Sequence, residues 1–192
     1  MHVHTFHLGD YQTNTYIIEN EGHCAIIDPG YEAETILAFL KKRELTVDAI
    51  LLTHGHFDHV GGVKKIADKT GCRVFLHRSE CTLPPYITSG ELYYTDFYGE
   101  GDEITLAGLI FTVLHTPGHT PGSVCLCFDG VMLTGDTLFA GSCGRTDLPG
   151  GDWKTMEASL KRLAALEGDC AIYPGHGEST TLEKERRCNP YF

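Results

Sequence analysis

Thr53-His54-Gly55-His56-Phe57-Asp58-His59 is the stretch of sequence that decides the fold and its chemistry. It follows the apolar run 49–52 and precedes Val60-Gly61-Gly62, so it lies where a buried strand should end and a helix should begin. A polar loop whose histidines cap a helix is the alternative, but it accounts poorly for metal-binding side chains this dense. The stretch therefore predicts a metal site at the C-terminal end of a strand.

The spacing of the donors in this stretch predicts two ions rather than one. In an extended segment, side chains two residues apart point the same way, so His54 and His56 can share an ion. Asp58 and His59 come after the chain has begun to turn, and they suit a second ion beside the first. Imidazole and carboxylate without thiolate favour zinc, with iron or manganese as further candidates.

Length, composition and charge limit the class of protein. The 192 residues are 42% apolar, enough for one substantial core, and we expect one domain over residues 1–192 without an internal linker. The formal net charge is −11 and the basic residues are scattered, which disfavours nucleic acid and anionic membranes as partners. Residues 1–10 lack the apolar core of a signal peptide, and no run approaches the roughly 18 residues of a membrane span. We expect a cytoplasmic protein.

The eight cysteines show neither CxxC pairs nor the spacing of a disulfide framework, so we expect reduced and mostly buried thiols. Cys125 and Cys127 alternate on one predicted strand, which is an ordinary core pattern. Cys143 lies in a Gly-rich loop near the predicted site, and the role of its thiol stays open.

Alternation of apolar and polar residues, bounded by turn residues, predicts strands, and apolar residues at helical spacing predict helices. The predicted strands are 3–8, 15–19, 23–28, the run into the metal stretch, 73–77, 103–106, 109–115, 123–128, 131–134 and 170–173. The predicted helices are 32–42, one after the metal stretch with Val63, Ile66 and Ala67 on its face, 152–166 with Asp152 as N-cap, and a short C-terminal helix opened by the capping box Thr180-x-x-Glu183. Two strand-rich halves closed by helices favour two sheets packed face to face.

Residues 84–100 form a Gly/Pro-broken segment that carries five aromatic side chains. Such a segment suits either the wall of a substrate pocket or packing against the core, and the sequence does not choose between them. The five are Tyr86, Tyr93, Tyr94, Phe97 and Tyr98.

Three further donors follow later predicted strands. His119 lies in the turn 116–122, Asp136 follows strand 131–134, and His176 follows the last strand. Glycine neighbours allow the sharp turns that would aim these side chains inward. Each is weak evidence alone, and spacing does not choose between His115 and His119, but with the metal stretch they complete two coordination spheres.

Taken together, these motifs resemble the metallo-β-lactamase superfamily and, within it, the short bacterial form of the glyoxalase II (hydroxyacylglutathione hydrolase) branch. They are His54-x-His56-x-Asp58-His59, residues 116–123, residues 134–139 and Pro174-Gly175-His176. The resemblance implies an α+β fold, the αβ/βα four-layer sandwich, in which two packed mixed sheets carry helices on their outer faces. It also implies His119 rather than His115.

The resemblance further implies a role for each donor. It places His54, His56 and His119 on metal 1 and Asp58, His59 and His176 on metal 2. Asp136 lies between the two ions, and Asp58 and Asp136 are the implied catalytic residues. Asp28, at a predicted strand end, matches an aspartate that orients a ligand histidine, a role with a clear physical purpose.

The chain departs from longer glyoxalase II enzymes in two places. Those enzymes carry an additional C-terminal helical domain that binds glutathione, and we expect no such domain here. Where they have a lysine and then a tyrosine after a Gly-Cys-Gly loop, this chain has Arg145 and Asp147. We expect Arg145 to hold a substrate carboxylate, and a surface salt bridge is the alternative.

The implied chemistry is hydrolysis of a small-molecule thioester. Two ions that share Asp136 would lower the pKa of a bridging water from about 15.7 to about 7, and the resulting hydroxide would attack the carbonyl carbon. A persulfide dioxygenase with one iron and a lactonase are alternative enzymes. A zinc-stabilised binding module is the non-enzymatic alternative, disfavoured because structural zinc sites are usually closed four-ligand sets rich in Cys.

Overall fold

The computed structural model of the chain describes residues 1–88 and 90–192. Ser89, within the aromatic segment 84–100, lies outside the described residues. In chain order the elements are β1 (His2–Leu8), β2 (Thr13–Asn20), β3 (His23–Ile27), α1 (Ala33–Arg43), β4 (Thr46–Leu51), α2 (Phe57–Val60), α3 (Val63–Thr70), β5 (Arg73–His77), a 3₁₀ helix (Arg78–Thr82), β6 (Asp96–Tyr98), β7 (Glu103–Leu106), β8 (Leu109–His115), β9 (Val124–Phe128), β10 (Val131–Gly135), β11 (Leu138–Phe139), β12 (Ser142–Cys143), α4 (Trp153–Ala164), β13 (Ala171–Pro174), β14 (Thr180–Thr181) and α5 (Leu182–Cys188).

The strands form two mixed six-stranded sheets and a small ribbon. The first sheet runs β1-β2-β3-β4-β5-β6, antiparallel up to β3 and parallel from β3 onward. The second runs β14-β13-β10-β9-β8-β7, and its one parallel pair is β10 with β13. Strands β11 and β12 pair as a separate ribbon.

Three apolar clusters show how the layers pack. Alternation along β4 sends Ala49 and Leu51 into the core between the sheets, and Ile50 to the opposite face, against α1 and α3. Helix α4 contributes Leu160 to a third cluster, on the outer face of the second sheet. The order helix, sheet, sheet, helix confirms the predicted α+β four-layer sandwich.

The helix that follows the metal stretch is split in two, at Gly61-Gly62. A Cβ atom at Gly62 would lie 2.7 Å from the carbonyl oxygen of Pro29, and one at Gly61 would overlap that of Gly30. The backbone of the β3–α1 turn therefore approaches the helix at a distance that only glycine allows.

The N-cap of α4 is confirmed, whereas the capping box predicted at Thr180 is wrong. The carboxylate of Asp152 accepts the backbone N–H of Thr155 at 2.8 Å. Helix α5 is capped instead by Thr181, whose hydroxyl accepts the N–H of Lys184 at 3.2 Å. Two adjacent threonines are both candidate N-caps, and Thr180 belongs to β14.

The aromatic segment divides between core and surface. Tyr98 is buried in β6, and its hydroxyl donates to the carbonyl of Leu52. Tyr93 packs on the cluster between the first sheet and its helices, whereas Tyr86 is 74% exposed. Core packing therefore accounts for part of the segment.

The cysteines are free throughout the described part of the chain. Cys24, Cys72 and Cys125 are buried as expected, but Cys81 and Cys188 are exposed. No helix in residues 1–88 or 90–192 is long and apolar enough to cross a bilayer.

Adjacent positions on β8 test the assignment of the inter-sheet core. Phe111 is fully buried between the sheets and Ile110 is 56% exposed on the outer side. Phe111→Ala should lower the free energy of unfolding by about 3–5 kcal/mol because it leaves a cavity. Ile110→Ala, the matched control, should change it by no more than about 0.5 kcal/mol in urea titrations. Equal losses in the two variants would contradict the register of this strand.

Candidate metal centre

The predicted donors lie at one edge of the molecule, where the ends of strands from both sheets meet. They follow β4, β10 and β13, and one lies in the turn between β8 and β9. The structure brings all seven together: His54, His56, Asp58, His59, His119 and Asp136 are buried, and His176 is half-buried.

The first group of donors contains three histidines, His54, His56 and His119. Each offers a ring nitrogen within 4.8 Å of the other two. The Nδ1 atom of His56 lies 2.8 Å from the Nε2 atom of His119. His115, by contrast, stacks on His77 with ring centroids 4.2 Å apart and takes no part in the group.

The second group contains Asp58, His59 and His176. Oδ2 of Asp58 lies 3.2 Å from Nε2 of His176 and 3.6 Å from Nε2 of His59. Asp136 lies between the two groups, because its carboxylate oxygens are 3.4 Å from Nε2 of His59 and 3.5 Å from Nε2 of both His119 and His176.

Asp28 orients two of these histidines. Its Oδ2 atom accepts a hydrogen bond from Nδ1 of His59 at 3.0 Å and another from the Thr53 hydroxyl at 2.5 Å. That hydroxyl in turn accepts from Nδ1 of His54 at 3.1 Å. Because Nδ1 of each ring is engaged in this chain of bonds, the Nε2 atoms of both histidines face the cluster.

Backbone carbonyls orient two more of the histidines, His119 and His176. Nδ1 of His119 donates to the carbonyl of Arg145 at 2.7 Å, and Nδ1 of His176 donates to that of Tyr11 at 3.2 Å. Both rings therefore present Nε2 to the carboxylate of Asp136, at 3.5 Å. Carbonyl partners leave no side-chain pattern, so sequence analysis could not find them.

Three buried polar atoms in the cluster have no hydrogen-bond partner: Nε2 of His54, Nε2 of His56 and Oδ1 of Asp136. A buried unpaired polar atom costs about 1–3 kcal/mol, and native proteins keep few of them. His56 faces His119 through its other nitrogen, Nδ1, so the unpaired atoms that count toward a metal site are Nε2 of His54 and Oδ1 of Asp136. Unpaired nitrogen and oxygen lone pairs in a buried cluster are what a divalent cation requires. The residues therefore fit bound metal ions.

The electrostatics of the cluster point the same way. Burial lowers the pKa of His54 well below its usual range and that of His56 to about 3, so both rings are neutral. Burial alone would raise the pKa of Asp58, but the hydrogen bond from His176 and the charge of His59 bring it to about 2. Asp136 is ionised too, since His59 and His176 hold its pKa well below the usual range against the effect of burial. Neutral imidazoles and ionised carboxylates are the forms that bind metals.

Glycines let the backbone come close enough to fix two of the donors. A Cβ atom on Gly30 would overlap the carbonyl oxygen of Asp58, and one on Gly175 would overlap the carboxylate of Asp136. The backbone at Asp58 and the carboxylate of Asp136 thus depend on neighbouring residues that carry no side chain.

Two residues that contact the donors or the loops carrying them, Thr13 and Glu80, were not predicted from the sequence. The hydroxyl of Thr13 donates to Oδ2 of Asp58 at 3.0 Å, and the buried carboxylate of Glu80 accepts backbone N–H groups from Gly55 and Gly122. The only signal in the sequence was a polar residue at the edge of an apolar run, which is common on any surface.

Arg145 adopts the alternative geometry. Its exposed guanidinium makes two hydrogen bonds to the carboxylate of Asp147, at 2.6 and 2.7 Å, so it forms a surface salt bridge here. Cys143 is half-buried in the cluster between the second sheet and its helices, and burial raises its pKa.

Comparison with known proteins agrees with this geometry. The family model for the metallo-beta-lactamase superfamily matches residues 8–176. The chain is 36% identical over 211 residues to hydroxyacylglutathione hydrolase GloC of Haemophilus influenzae, an alignment that covers 100% of this chain and 98% of that one.

Solved structures show the same similarity. BLEG-1, a B3 metallo-beta-lactamase, superposes with a TM-score of 0.92 at 35% identity, covering 99% of both chains. TTHA1623 in a di-iron-bound form superposes with a TM-score of 0.87 at 40% identity, covering 99% of this chain and 100% of that one.

Removing the charge of Asp28 tests its orienting role. Asp28→Asn should weaken binding of a divalent ion by about 10–100-fold, because His59 and Thr53 lose their shared acceptor. Competition with a chelating dye measures the affinity. Asp48→Asn is a matched control. Asp48 lies on β4, the strand that leads to the metal centre, but its carboxylate contacts Nδ1 of His23 at 2.7 Å rather than a donor of the cluster. Equal affinity in the two variants would refute the role.

Proposed function

This chain belongs to the metallo-β-lactamase superfamily, and we propose that it hydrolyses thioesters of the hydroxyacylglutathione type with the help of two divalent metal ions. One observation carries the proposal: seven His and Asp donors, six of them buried, converge in two groups with Asp136 between them. The similarity to the Haemophilus influenzae hydrolase, which extends over the whole chain, supports the choice of substrate class.

The two groups define which residues would hold each ion. His54, His56 and His119 would hold the first, Asp58, His59 and His176 the second, and Asp136 would contact both. Zinc suits this set of nitrogen and oxygen donors, and iron and manganese suit it as well. The di-iron form of TTHA1623 is a reason to measure iron beside zinc. When bound, such ions lower the pKa of a water toward neutrality and polarise a carbonyl.

The protein's own contribution is to hold ionised carboxylates and imidazole rings together in a buried place. Asp58, fixed by the Thr13 hydroxyl, can accept a hydrogen bond from the attacking water and orient it. Burial of the cluster keeps bulk water away, which strengthens each of these electrostatic contacts. Asp28 and the carbonyls of Tyr11 and Arg145 keep the rings from turning.

A thioester suits this site because of its leaving group. A thiol has a pKa of about 8.5, so a thiolate can leave with little help from a general acid. An amine or an alkoxide is a far stronger base and needs a proton in the same step. The donor cluster provides carboxylates and imidazoles already engaged in holding cations, so thioester cleavage makes the smallest demand on it.

Hydrolysis of a β-lactam is the second candidate, because BLEG-1 shares the fold over nearly the full length of both chains. A substrate panel separates the candidates: S-lactoylglutathione, a simple thioester, a β-lactam and a lactone, each assayed with zinc-loaded and iron-loaded protein. Oxygen uptake with a persulfide substrate tests the dioxygenase alternative. A rate with S-lactoylglutathione no greater than that with the β-lactam would overturn the proposed substrate class.

Asp136→Ala should abolish hydrolysis and lower the number of bound ions together, because both groups of donors lose their shared carboxylate. Elemental analysis of the purified variant, beside its rate on S-lactoylglutathione, measures the two effects. Asp68→Ala is the control, since Asp68 lies on α3 and pairs with Lys64 on the exposed surface. Full turnover with two ions retained in Asp136→Ala would contradict the bridging role.

We further propose that Arg145 holds a substrate carboxylate in place of that of Asp147. Arg145→Ala should raise KM for an anionic thioester and leave KM for a neutral one unchanged, because the carbonyl that orients His119 is kept. Asp147→Asn should lower KM for the anionic substrate by freeing the guanidinium. Steady-state kinetics with both substrates measure these effects. An unchanged KM in Arg145→Ala would show that the salt bridge is purely a surface feature.

A further inference from the structure

Glu80 is a completely buried glutamate in the 3₁₀ helix that follows β5. Its Oε2 atom accepts the backbone N–H of Gly55 at 2.5 Å, and its Oε1 atom accepts that of Gly122 at 2.6 Å. Within the described residues no lysine, arginine or histidine forms an ion pair with it. A buried carboxylate without a cation destabilises a fold, so its two hydrogen bonds call for an explanation.

The two glycines belong to the two loops that carry the three-histidine group. Gly55 lies between His54 and His56, after β4 of the first sheet. Gly122 lies in the turn that carries His119, between β8 and β9 of the second sheet. Glu80 therefore connects the two sheets through the loops that hold these donors.

The carboxylate of Glu80 lies close to the backbone of both glycines. A Cβ atom at Gly122 would lie 2.7 Å from Oε1 of Glu80, and one at Gly55 would lie 3.0 Å from Oε2. Neither loop can accept a side chain at these positions without moving the carboxylate. The two glycines and the acid thus form one unit, in which each oxygen reaches the backbone of one loop.

We infer that Glu80 is a positioning residue that sets the separation of His54 and His56 from His119 and thereby the affinity of this group for its ion. The inference rests on the proposed assignment of an ion to the three histidines. It does not depend on which substrate the protein cleaves.

The donors of the second group are held by other residues. Asp28 fixes His59, the carbonyl of Tyr11 fixes His176, and the hydroxyl of Thr13 fixes Asp58. A change at Glu80 should therefore affect one ion and spare the other. A residue that merely stabilised the fold would lower unfolding stability without this selectivity.

Glu185 provides a matched comparison elsewhere in the molecule. It too is buried, and its oxygens accept the backbone N–H of Gly141 at 2.7 Å and the hydroxyl of Thr180 at 2.6 Å. Its partners join α5 to the β11–β12 ribbon rather than one histidine loop to the other. Glu185→Gln removes the same kind of acid at a similar depth.

Glu80→Gln keeps the volume of the side chain but leaves a single carbonyl acceptor, so its amide group faces the second backbone N–H. Burial raises the pKa of Glu80 to about 7, and the backbone hydrogen bonds from Gly55 and Gly122 act in the opposite direction because they favour the ionised form. The expected effect of the substitution is the loss of one of the two backbone contacts. Gly122→Ala is the second variant, since it displaces the carboxylate without removing it.

The experiment is a titration of metal-stripped protein with Co²⁺, followed by visible absorption and calorimetry, with thermal unfolding recorded for each variant. Glu80→Gln and Gly122→Ala should each weaken one of two bound equivalents by about 10–100-fold and change its spectrum, while the other equivalent keeps its affinity. Glu185→Gln should bind both equivalents as the wild type does, even if it unfolds at a lower temperature.

Wild-type affinity for both equivalents in folded Glu80→Gln would overturn the inference. So would equal weakening of both equivalents, because that is the signature of a general loss of structure. A wild-type protein that binds no Co²⁺ would overturn both the inference and the proposed metal sites, whereas a failure to cleave thioesters would affect the proposed substrate alone.

Discussion

Two carboxylates, those of Asp58 and Asp136, are buried at the edge where the two sheets meet, and a buried charge is stable only beside an opposite one. His59 and His176 lie within 3.2–3.6 Å of these oxygens. Hydrogen bonds and nearby charge from the carboxylates raise the pKa of His176 to about 9 although burial opposes it. The buried carboxylates therefore require positive charge beside them, which divalent cations would supply.

The register of the first sheet determines where Asp28 lies relative to the donors. Strands β3 and β4 run parallel with Ile27 opposite Leu51, so Asp28 emerges beside Thr53 at the same end of the sheet. The backbone N–H of Thr53 donates to Asp28 at 2.7 Å, in addition to the hydroxyl contact. One strand pairing thus places the acid that orients histidines in both groups of donors. Asp28 is accordingly a structural link between the sheet and the centre.

Sequence alone predicted seven candidate donors, which the structure brings together, because they follow recognisable strands and five of them have glycine beside them. The fold class followed from the same alternation and from the family resemblance. What sequence missed depends on tertiary contacts: the carbonyls of Tyr11 and Arg145 have no side-chain signature, and nothing in residues 78–82 marks Glu80 as buried. The strands β6, β11, β12 and β14 have two or three residues each, too few for an alternation of apolar and polar residues to be recognised.

The donors of the second group lie far apart along the chain, since His59 and His176 are 117 residues from each other. Their side chains meet only after both halves of the molecule have folded and docked. Contacts of such long range carry a large loop-closure cost, and they are typical of folds that form slowly. An ion bound by His59 and His176 would therefore be held by both halves of the molecule and would resist their separation.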